Sequence, residues 1–261
     1  MELDLRDKVV IVTGAARGIG AQIAQRFAAE GAKVTAFDLA FPEADETGAA
    51  GAPGAGQSVE QVTCNVADPE SVRAAVDQVA ARHGGIDVLI NNAGINVVGD
   101  VADVPWERWK TCFDVNVGGV FLMSQAVAEH MKQARSGRII NAASFAAIIP
   151  SVGSAAYAAS KAAVVSLTRV HASELGPYGI TVNAYAPGMV PTAMNGFAEM
   201  PQEQQDRLLD TLSLRRWESA DDVANLLIFL ASDQAAYITG TLHDVSGGKL
   251  ATQIPAVAHG R

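Results

Sequence analysis

The sequence VVIVTGAARGIG, residues 9–20, is an apolar run followed by a turn that contains three glycines. The β-branched run is typical of a buried strand, which we place at Lys8–Val12. Apolar residues then recur with helical spacing over Ala21–Glu30, and Gly31 follows as a residue that commonly ends a helix. A strand, a tight turn and a helix in this order predict the first βα unit of a parallel sheet.

The alternation of apolar strands and helical segments continues along the chain. It is the pattern of repeated βαβ units, in which helices cover a parallel sheet, and it predicts an α/β fold. The other predicted strands are Lys33–Asp38, Gln61–Asn65, Val88–Asn91, Arg138–Ala142, Thr181–Tyr185 and Leu242–Val245. The other predicted helices are Ser71–Arg82, Trp106–Lys132 as one long helix or two merged ones, Ala155–Leu175 and Ala220–Leu230.

Length and composition favour one large α/β domain over residues 1–261. With 49% hydrophobic and 18% charged residues, the chain can bury a substantial core. The formal net charge of -9 argues against nucleic acid as a partner, because proteins that bind it concentrate Lys and Arg on one face. The five histidines show no metal-ligand spacing such as H-E-x-x-H, and no metal is predicted.

Two further features favour a cytoplasmic protein. The acidic N-terminal residues run directly into the first strand without the marks of a signal peptide, and no apolar run reaches the roughly 18 residues of a spanning helix. No membrane contact is therefore predicted. Cys64 and Cys112 form no C-x-x-C arrangement, and we expect a structural role for both in a reducing compartment.

Three segments depart from the regular alternation. Residues 41–57 are rich in Gly, Ala and Pro, and they predict a loosely ordered surface loop. Residues 188–217 contain Pro191 and Gly196 before an amphipathic run, and we predict that they form a mobile substrate lid, with a fixed surface helix as the alternative. Residues 249–261 form a C-terminal tail.

The glycine turn has the composition of a phosphate-binding loop. Glycine lets the backbone bend tightly and approach a pyrophosphate, whose charge then lies at the N-terminus of the following helix. As a bare pattern, the turn leaves a structural role equally open. Its position between an apolar strand and an amphipathic helix favours a dinucleotide site.

At this turn the sequence resembles the short-chain dehydrogenase/reductase family, whose glycine spacing is T-G-x-x-x-G-x-G. The resemblance runs from about Asp7 to Gly248 and implies a Rossmann-like doubly wound sheet of about seven parallel strands, usually in a homotetramer. The chain departs from the family at Asn65-Val66, where Asp-Val is usual, and at Ser246, where Asp is common. The other matching motifs are, in order, Asn91-Asn92-Ala93-Gly94, Asn116, Ser144, Tyr157-x-x-x-Lys161 and Pro187-Gly188.

The end of the second strand favours NAD as the cofactor. Asp38 lies about 20 residues beyond the glycine turn, where a carboxylate binds the ribose hydroxyls of NAD and repels the 2′-phosphate of NADP. Arg17 argues for NADP, but Leu39 supplies no second basic residue. The predicted cofactor-binding residues are Gly14, Arg17, Gly18, Ile19, Gly20, Asp38, Asn65, Val66, Asn92, Ala93, Gly94, Tyr157, Lys161, Pro187, Gly188, Val190 and Thr192.

Tyr157 and Lys161 are spaced i, i+4, which places both side chains on one face of a helix. A neighbouring ammonium group is expected to lower the pKa of the phenol and make Tyr157 a general acid or base. The resemblance implies that Lys161 also binds the nicotinamide ribose, that Ser144 binds the substrate oxygen, and that Asn116 positions a water near Lys161. The remaining tyrosines lack a partner lysine and are predicted to be packing residues: Tyr178, Tyr185 and Tyr237.

These residues predict an NAD-dependent oxidoreductase that interconverts a small secondary alcohol, polyol or sugar and its carbonyl form. One alternative is an NADP-dependent ketoreductase resembling the 3-oxoacyl-carrier-protein reductases. A second is an NAD-binding sensor or structural module, which predicts loss of Tyr157, Lys161 or Ser144, although all three are present. The residues expected to contact the substrate are Ser144, Asn96, Ala146, Ile148, Ser154, Met189 and Met194.

Overall fold

The structure is a computed structural model that describes residues 3–42, 58–192 and 196–260. Its centre is a seven-stranded sheet in the order β3-β2-β1-β4-β5-β6-β7, in which all neighbouring strands are parallel. The expected Rossmann-like parallel sheet is therefore confirmed. The strands are β1 Val9–Thr13, β2 Lys33–Asp38, β3 Glu60–Thr63, β4 Val88–Asn91, β5 Gly137–Ala142, β6 Ile180–Pro187 and β7 Leu242–Val245.

Helices pack on both faces of this sheet. Side chains of β1 alternate between the faces, so that Val10 and Val12 join one core cluster and Val9 and Ile11 join the other. The described residues form the helices α1 Gly18–Ala29, α2 Pro69–His83, α3 Trp106–Phe113, α4 Gly119–Ala134, α5 Ala155–Leu175, α6 Gln202–Leu209 and α7 Ala220–Ala231. Helices α1 and α7 cover the first cluster, and α2, α4 and the C-terminal end of α5 cover the second.

The strand order places a crevice at the carboxyl ends of β1 and β4. The chain moves outward from β1 to β2 and β3, then returns to form β4 on the other side of β1. Connections that leave neighbouring strands in opposite directions open a crevice at this point, where α/β proteins bind ligands. The glycine turn after β1 and the Asn92-Ala93-Gly94 segment after β4 therefore face each other.

Several element boundaries differ from the predicted ones. Helix α1 begins at Gly18 and not at Ala21, because the helix starts inside the glycine turn. The predicted helix over residues 106–132 is divided by a π-helical turn at Asp114–Gly118. Strand β6 extends through Pro187, where it still pairs with Val245 of β7.

The structure describes the three irregular segments to different extents. Of the predicted loop over residues 41–57, residues 43–57 lie outside the described part of the chain. The segment 188–217 contains α6, whose Leu208 and Leu209 pack with Met189, Phe197, Leu212 and Trp217. The C-terminal tail crosses this segment, since Leu250 N–H donates to the carbonyl of Thr211 at 2.9 Å. Within the described ranges, no helix combines the length and apolar character needed to cross a membrane.

Candidate active site

The three glycines after β1 meet different steric needs. Gly14 and Gly18 have φ angles of 64° and 61°, which residues with a Cβ adopt only at a cost. A Cβ on Gly14 would also lie 2.7 Å from the Cα of Ala93. A Cβ on Gly20 would collide with the carbonyl oxygen of Gly14. The turn thus presents bare backbone at the N-terminus of α1, which suits a phosphate group.

A hydrogen-bond cluster joins this turn to the end of β4. The amide of Asn92 donates to the carbonyl oxygens of Thr13 at 3.0 Å and Gly14 at 3.1 Å. The Thr13 hydroxyl accepts the N–H groups of Asn92 and Ala93, both at 3.0 Å. Tyr185 of β6 is buried, and its hydroxyl donates to Asn92 Oδ1 at 3.3 Å. Its contact with Asn92 goes beyond the packing role expected from sequence, and no local spacing reveals it.

Asp38 ends β2 beside the glycine turn. Its carboxylate accepts the N–H of Ala16 at 2.9 Å through Oδ2 and that of Leu39 at 2.8 Å through Oδ1. Arg17 is exposed and precedes α1 without making a side-chain capping bond in the described structure. Leu39 is also exposed. A ribose at the end of β2 would therefore meet one fixed carboxylate and one exposed guanidinium group.

The residues expected near the adenine follow β3. Asn65 is exposed, and its Oδ1 accepts the N–H of Ala67 at 3.1 Å, which shapes the turn before α2. Val66 is buried and lies so close to Gly119 that a Cβ on that glycine would be 2.9 Å from Val66 Cγ2. Ile19 is partly buried against the core between α1 and α7. Their contacts with a cofactor stay predictions.

Tyr157, Ser144 and Lys161 come together at the carboxyl end of β5. The Ser144 and Tyr157 side chains are hydrogen-bonded to each other. Lys161 Nζ lies 5.7 Å from the centroid of the Tyr157 ring and donates to the carbonyl of Ala142 at 2.7 Å. Gly94 completes the group, because a Cβ there would lie 3.3 Å from Lys161 Nζ. Three segments that are distant in sequence thus meet around one phenol.

The pKa directions at this cluster correct one expectation. Burial raises the pKa of Tyr157, and the hydrogen bond with Ser144 lowers it, with burial the larger effect. The expected net lowering of the Tyr157 pKa is therefore wrong for this structure, in which burial outweighs the effects that favour the phenolate. Burial also lowers the pKa of Lys161 itself to about 8. A buried ammonium is costly to keep charged, which is why its pKa falls.

Asn116 lies in the π-helical turn and is fully buried. Its Oδ1 accepts the N–H of Ile95 at 2.8 Å, and its Nδ2 donates to the Ile95 carbonyl at 3.0 Å and to Ser160 Oγ at 3.0 Å. The Ser160 hydroxyl donates in turn to the carbonyl of Tyr157 at 2.7 Å. Asn116 therefore links the loop after β4 to the helix that carries Tyr157 and Lys161.

The residues expected to contact the substrate are spread around this cluster. Ala146 donates its N–H to Ser144 Oγ at 3.1 Å, and Ser154 precedes α5. Asn96 and Ile148 are exposed. Met189 is buried in the cluster beneath α6, and Met194 lies outside the described residues. Direct contact with a substrate stays a prediction for all of them.

The segment after β6 is held by a residue that sequence reasoning missed. Gly188 packs against Ser246, since a Cβ would lie 2.8 Å from the Ser246 Cα. Its N–H donates to Oε2 of Glu218 at 2.6 Å. Val190 is buried in the core, and Thr192 is partly buried. Glu218 belongs to no motif, so no sequence signal could have indicated it.

Comparison with known proteins agrees with this geometry. A family model described as Enoyl-(Acyl carrier protein) reductase matches residues 14–249. A 3-oxoacyl-[acyl-carrier-protein] reductase from Thermotoga maritima is 37% identical over 94% of this chain and 98% of its own length. The chain belongs to the short-chain dehydrogenase/reductase family. It is thus an oxidoreductase of a family that acts on CH–OH groups with a nicotinamide cofactor, either NAD or NADP.

Two further relatives bear on the range of substrates and on the fold. A D-threitol dehydrogenase from Mycolicibacterium smegmatis is 39% identical over 94% of this chain and 93% of its own length. A crystal structure described as a short-chain alcohol dehydrogenase from Sinorhizobium meliloti superimposes with a TM-score of 0.86 at 34% identity, covering 96% of this chain and 99% of that one. These short-chain dehydrogenase/reductase relatives carry different activities, so family membership leaves the substrate open.

The family's nicotinamide cofactor fits the residues present. The bare backbone of the glycine turn suits the pyrophosphate, and the Asp38 carboxylate lies at the end of β2, where the adenosine ribose would lie. Among the residues that the structure describes, no group of three His, Cys, Asp or Glu side chains could hold a metal ion.

Proposed function

We propose that this short-chain dehydrogenase/reductase uses NAD to interconvert a small secondary alcohol, polyol or sugar and the corresponding carbonyl compound. The observation that carries the proposal is the hydrogen-bonded pair of Tyr157 and Ser144, with Lys161 Nζ 5.7 Å from the Tyr157 ring. In such a pair, the phenol of Tyr157 can exchange a proton with a substrate oxygen while the hydroxyl of Ser144 holds that oxygen by a hydrogen bond.

In this proposal each side chain has a separate task. Tyr157 takes the proton of the substrate hydroxyl during oxidation and returns it during reduction. Ser144 donates a hydrogen bond to the same oxygen and lowers the pKa of Tyr157. Lys161 stabilises the phenolate form when its ammonium is charged and binds the ribose beside the nicotinamide. Asn116 positions α5 through its bonds to Ile95 and Ser160. A nicotinamide held by these residues would supply the hydride-transfer chemistry.

The preference for NAD rests on Asp38. Its carboxylate is fixed by the N–H groups of Ala16 and Leu39, so it cannot turn away from a 2′-phosphate without losing both bonds. A fixed negative charge there disfavours a dianionic phosphate. Arg17 is exposed to solvent, which screens its charge, so it compensates less well for that repulsion.

A second candidate is NADPH-dependent reduction of a 3-oxoacyl thioester. It is favoured by the 37% identity with the Thermotoga maritima 3-oxoacyl-[acyl-carrier-protein] reductase and by Arg17 in the glycine turn. The D-threitol dehydrogenase relative favours the first candidate, since its substrate is a polyol. The carboxylate of Asp38 decides between them in our proposal.

The expectations that accompany this function are a single domain over residues 1–261, a homotetramer in the cytoplasm, and a lid formed by residues 188–217. The packing of the C-terminal tail against Thr211 and Ser213 supports treating the tail and the lid segment as one unit. Size-exclusion chromatography with light scattering tests the tetramer, and a mass of one or two chains would contradict it.

The function is tested with a panel of secondary alcohols, polyols and sugars in the presence of NAD or NADP, reading the absorbance of the reduced nicotinamide. A 3-oxoacyl thioester with NADPH or NADH tests the second candidate in the reducing direction. We expect turnover of at least one alcohol with NAD, and loss of that turnover in Tyr157→Phe. Turnover of the thioester alone, with NADPH preferred, would contradict the proposal and support the second candidate.

A further inference from the structure

Glu218 is a buried carboxyl group at the junction of three elements. It directly precedes Ser219, which caps α7, and its side chain reaches the start of the segment that follows β6. Only 7% of the residue is exposed. Glutamate is rarely buried to this degree unless it is paired, so its position calls for an explanation beyond packing.

Glu218 holds two consecutive residues through its side chain and its backbone. Oε2 accepts the Gly188 N–H at 2.6 Å, and the Glu218 N–H donates to the Met189 carbonyl at 3.2 Å. Ser246 packs on the other side of Gly188, where a Cβ would lie 2.8 Å from the Ser246 Cα. We call the two hydrogen bonds to Gly188 and Met189 the Glu218 clamp.

The other carboxyl oxygen differs from Oε2. Oε1 of Glu218 is buried and makes no hydrogen bond within the described residues. Arg216 does not bind it, because both Arg216 terminal nitrogens bind the Asp222 carboxylate, at 2.7 and 2.9 Å. A cavity of about 150 Å³ adjoins the clamp and is lined by Met189, Leu212 and Glu218 among others. The group is thus neither paired nor tightly packed, and stability alone does not account for it.

The surroundings of Glu218 make its charge easy to change. Burial, Asp222 on α7 and Asp244 on β7 raise its pKa to about 8, against a smaller lowering by the Gly188 N–H and by Arg216. Tyr185 on β6 also interacts with it electrostatically. The carboxyl therefore changes between its neutral and ionised forms near pH 8. Only the ionised form makes a charge-assisted hydrogen bond to Gly188, which is the stronger kind.

We propose that Glu218 is a positioning residue that fixes the Gly188–Met189 backbone for cofactor binding, and that the clamp tightens when its carboxyl group ionises. The inference rests on the proposed function, since it takes Val190 and Thr192, just beyond the clamp, to contact the nicotinamide. Cofactor binding and clamp formation favour the same ionised state of Glu218. Cofactor binding therefore releases the proton of Glu218 to the solvent.

The test compares cofactor affinity of the wild type and Glu218→Gln by fluorescence titration with NADH and with NADPH. Glutamine keeps an acceptor for the Gly188 N–H but cannot ionise. For each cofactor, the dissociation constant of Glu218→Gln is divided by that of the wild type. This ratio cancels the titration of Lys161, which both proteins share. We expect this ratio to be close to one at about pH 6. At about pH 9.5 we expect Glu218→Gln to bind about threefold or more weakly than the wild type, because a charge-assisted hydrogen bond is stronger than a neutral one.

A ratio that is the same at both pH values would overturn the clamp while leaving the proposed function intact. Failure of the wild type to bind either dinucleotide would overturn both. Glu129→Gln, which alters an exposed carboxylate on α4, is the matched control and should leave affinity unchanged at both pH values. Glu218→Ala, which has no acceptor, should weaken binding at both pH values.

Thermal unfolding supplies a second measurement that needs no cofactor. It compares Glu218→Gln with the wild type and can be made even if Glu218→Ala does not fold. The folded-state pKa of Glu218 is raised from 4.5 to about 8, so ionisation destabilises the folded wild type progressively between these values. Glu218→Gln should therefore melt higher than the wild type at about pH 9.5 and equally at about pH 4.5. A melting temperature that is not raised at the higher pH would overturn the claim that the clamp tightens when Glu218 ionises.

Discussion

The ammonium group of Lys161 donates a 2.7 Å hydrogen bond to the carbonyl oxygen of Ala142, the last residue of β5. This bond ties the helix that carries Tyr157 to the strand that precedes Ser144. It also draws the ammonium into a fully buried position, which lowers the pKa of Lys161 to about 8. Burial thus destabilises the charge on which the chemistry depends, and the hydrogen bond to Ala142 offsets part of that cost.

We predict that Lys161→Met is more stable than the wild type at neutral pH although it is inactive. The folded-state pKa of Lys161 is lowered from 10.5 to about 8, so below pH 8 the buried charge costs about 3 kcal/mol, which is relieved as pH rises from 8 to 10.5. Losing the bond to Ala142 offsets about 1–2 kcal/mol of the gain. Urea unfolding should show a gain of about 1–2 kcal/mol at pH 7 that disappears at about pH 10.

The control for this prediction is Lys110→Met, which alters an exposed lysine of α3. It should leave the free energy of unfolding nearly unchanged at both pH values, because an exposed ammonium is already hydrated. If Lys161→Met were less stable than the wild type at pH 7, the bond to Ala142 would outweigh the burial of the charge.

Tyr157→Phe should reduce turnover at least about a hundredfold while leaving cofactor affinity nearly unchanged. Only the transferable proton is removed, and the ring keeps its packing. Steady-state assays and a fluorescence titration with NADH measure the two effects separately. Tyr178→Phe is the matched control, since Tyr178 lies in the turn that follows the C-terminal end of α5, with Lys132 Nζ over its ring. More than a few per cent of residual activity would refute the acid–base role of Tyr157.

Asp38→Ser combined with Leu39→Arg should shift the ratio of kcat/KM for NAD and NADP towards NADP. The change removes a repulsion and adds a cation at the exposed edge of β2. Asp38→Asn separates the two effects, because it removes the charge but keeps acceptors for the N–H groups of Ala16 and Leu39. A wild type that already prefers NADP would show that Arg17 outweighs Asp38.

The lid hypothesis for residues 188–217 predicts protection on binding. Amide hydrogens of α6 should exchange quickly in the free protein and more slowly once NAD and substrate are added. The apolar face of α6 packs on Met189, Leu212 and Trp217, so the segment has a cluster of its own from which it can move as a unit. Amides of α1 serve as the internal reference. Equal exchange with and without ligands would favour the fixed-helix alternative.

The sequence alone was sufficient to predict the α/β class, most strands and the glycine turn. Hydrophobic periodicity and chirality act over a few residues, and a parallel sheet leaves few ways to connect such units. The i, i+4 spacing of Tyr157 and Lys161 likewise places them on one helical face by local geometry. The start of α1 was displaced by three residues because the helix begins within the turn, where the Ala21 N–H already donates to the Arg17 carbonyl at 3.4 Å.

Only the tertiary structure decided which side chains meet and how strongly they are desolvated. Tyr185 bonds to Asn92 across 93 residues of sequence, and Glu218 bonds to Gly188 across 30. The direction of the Tyr157 pKa also depends on burial, which is a property of everything packed around the ring and is encoded in no local spacing. Periodicity specifies the elements, whereas desolvation and long-range contact exist only once those elements are assembled into one core.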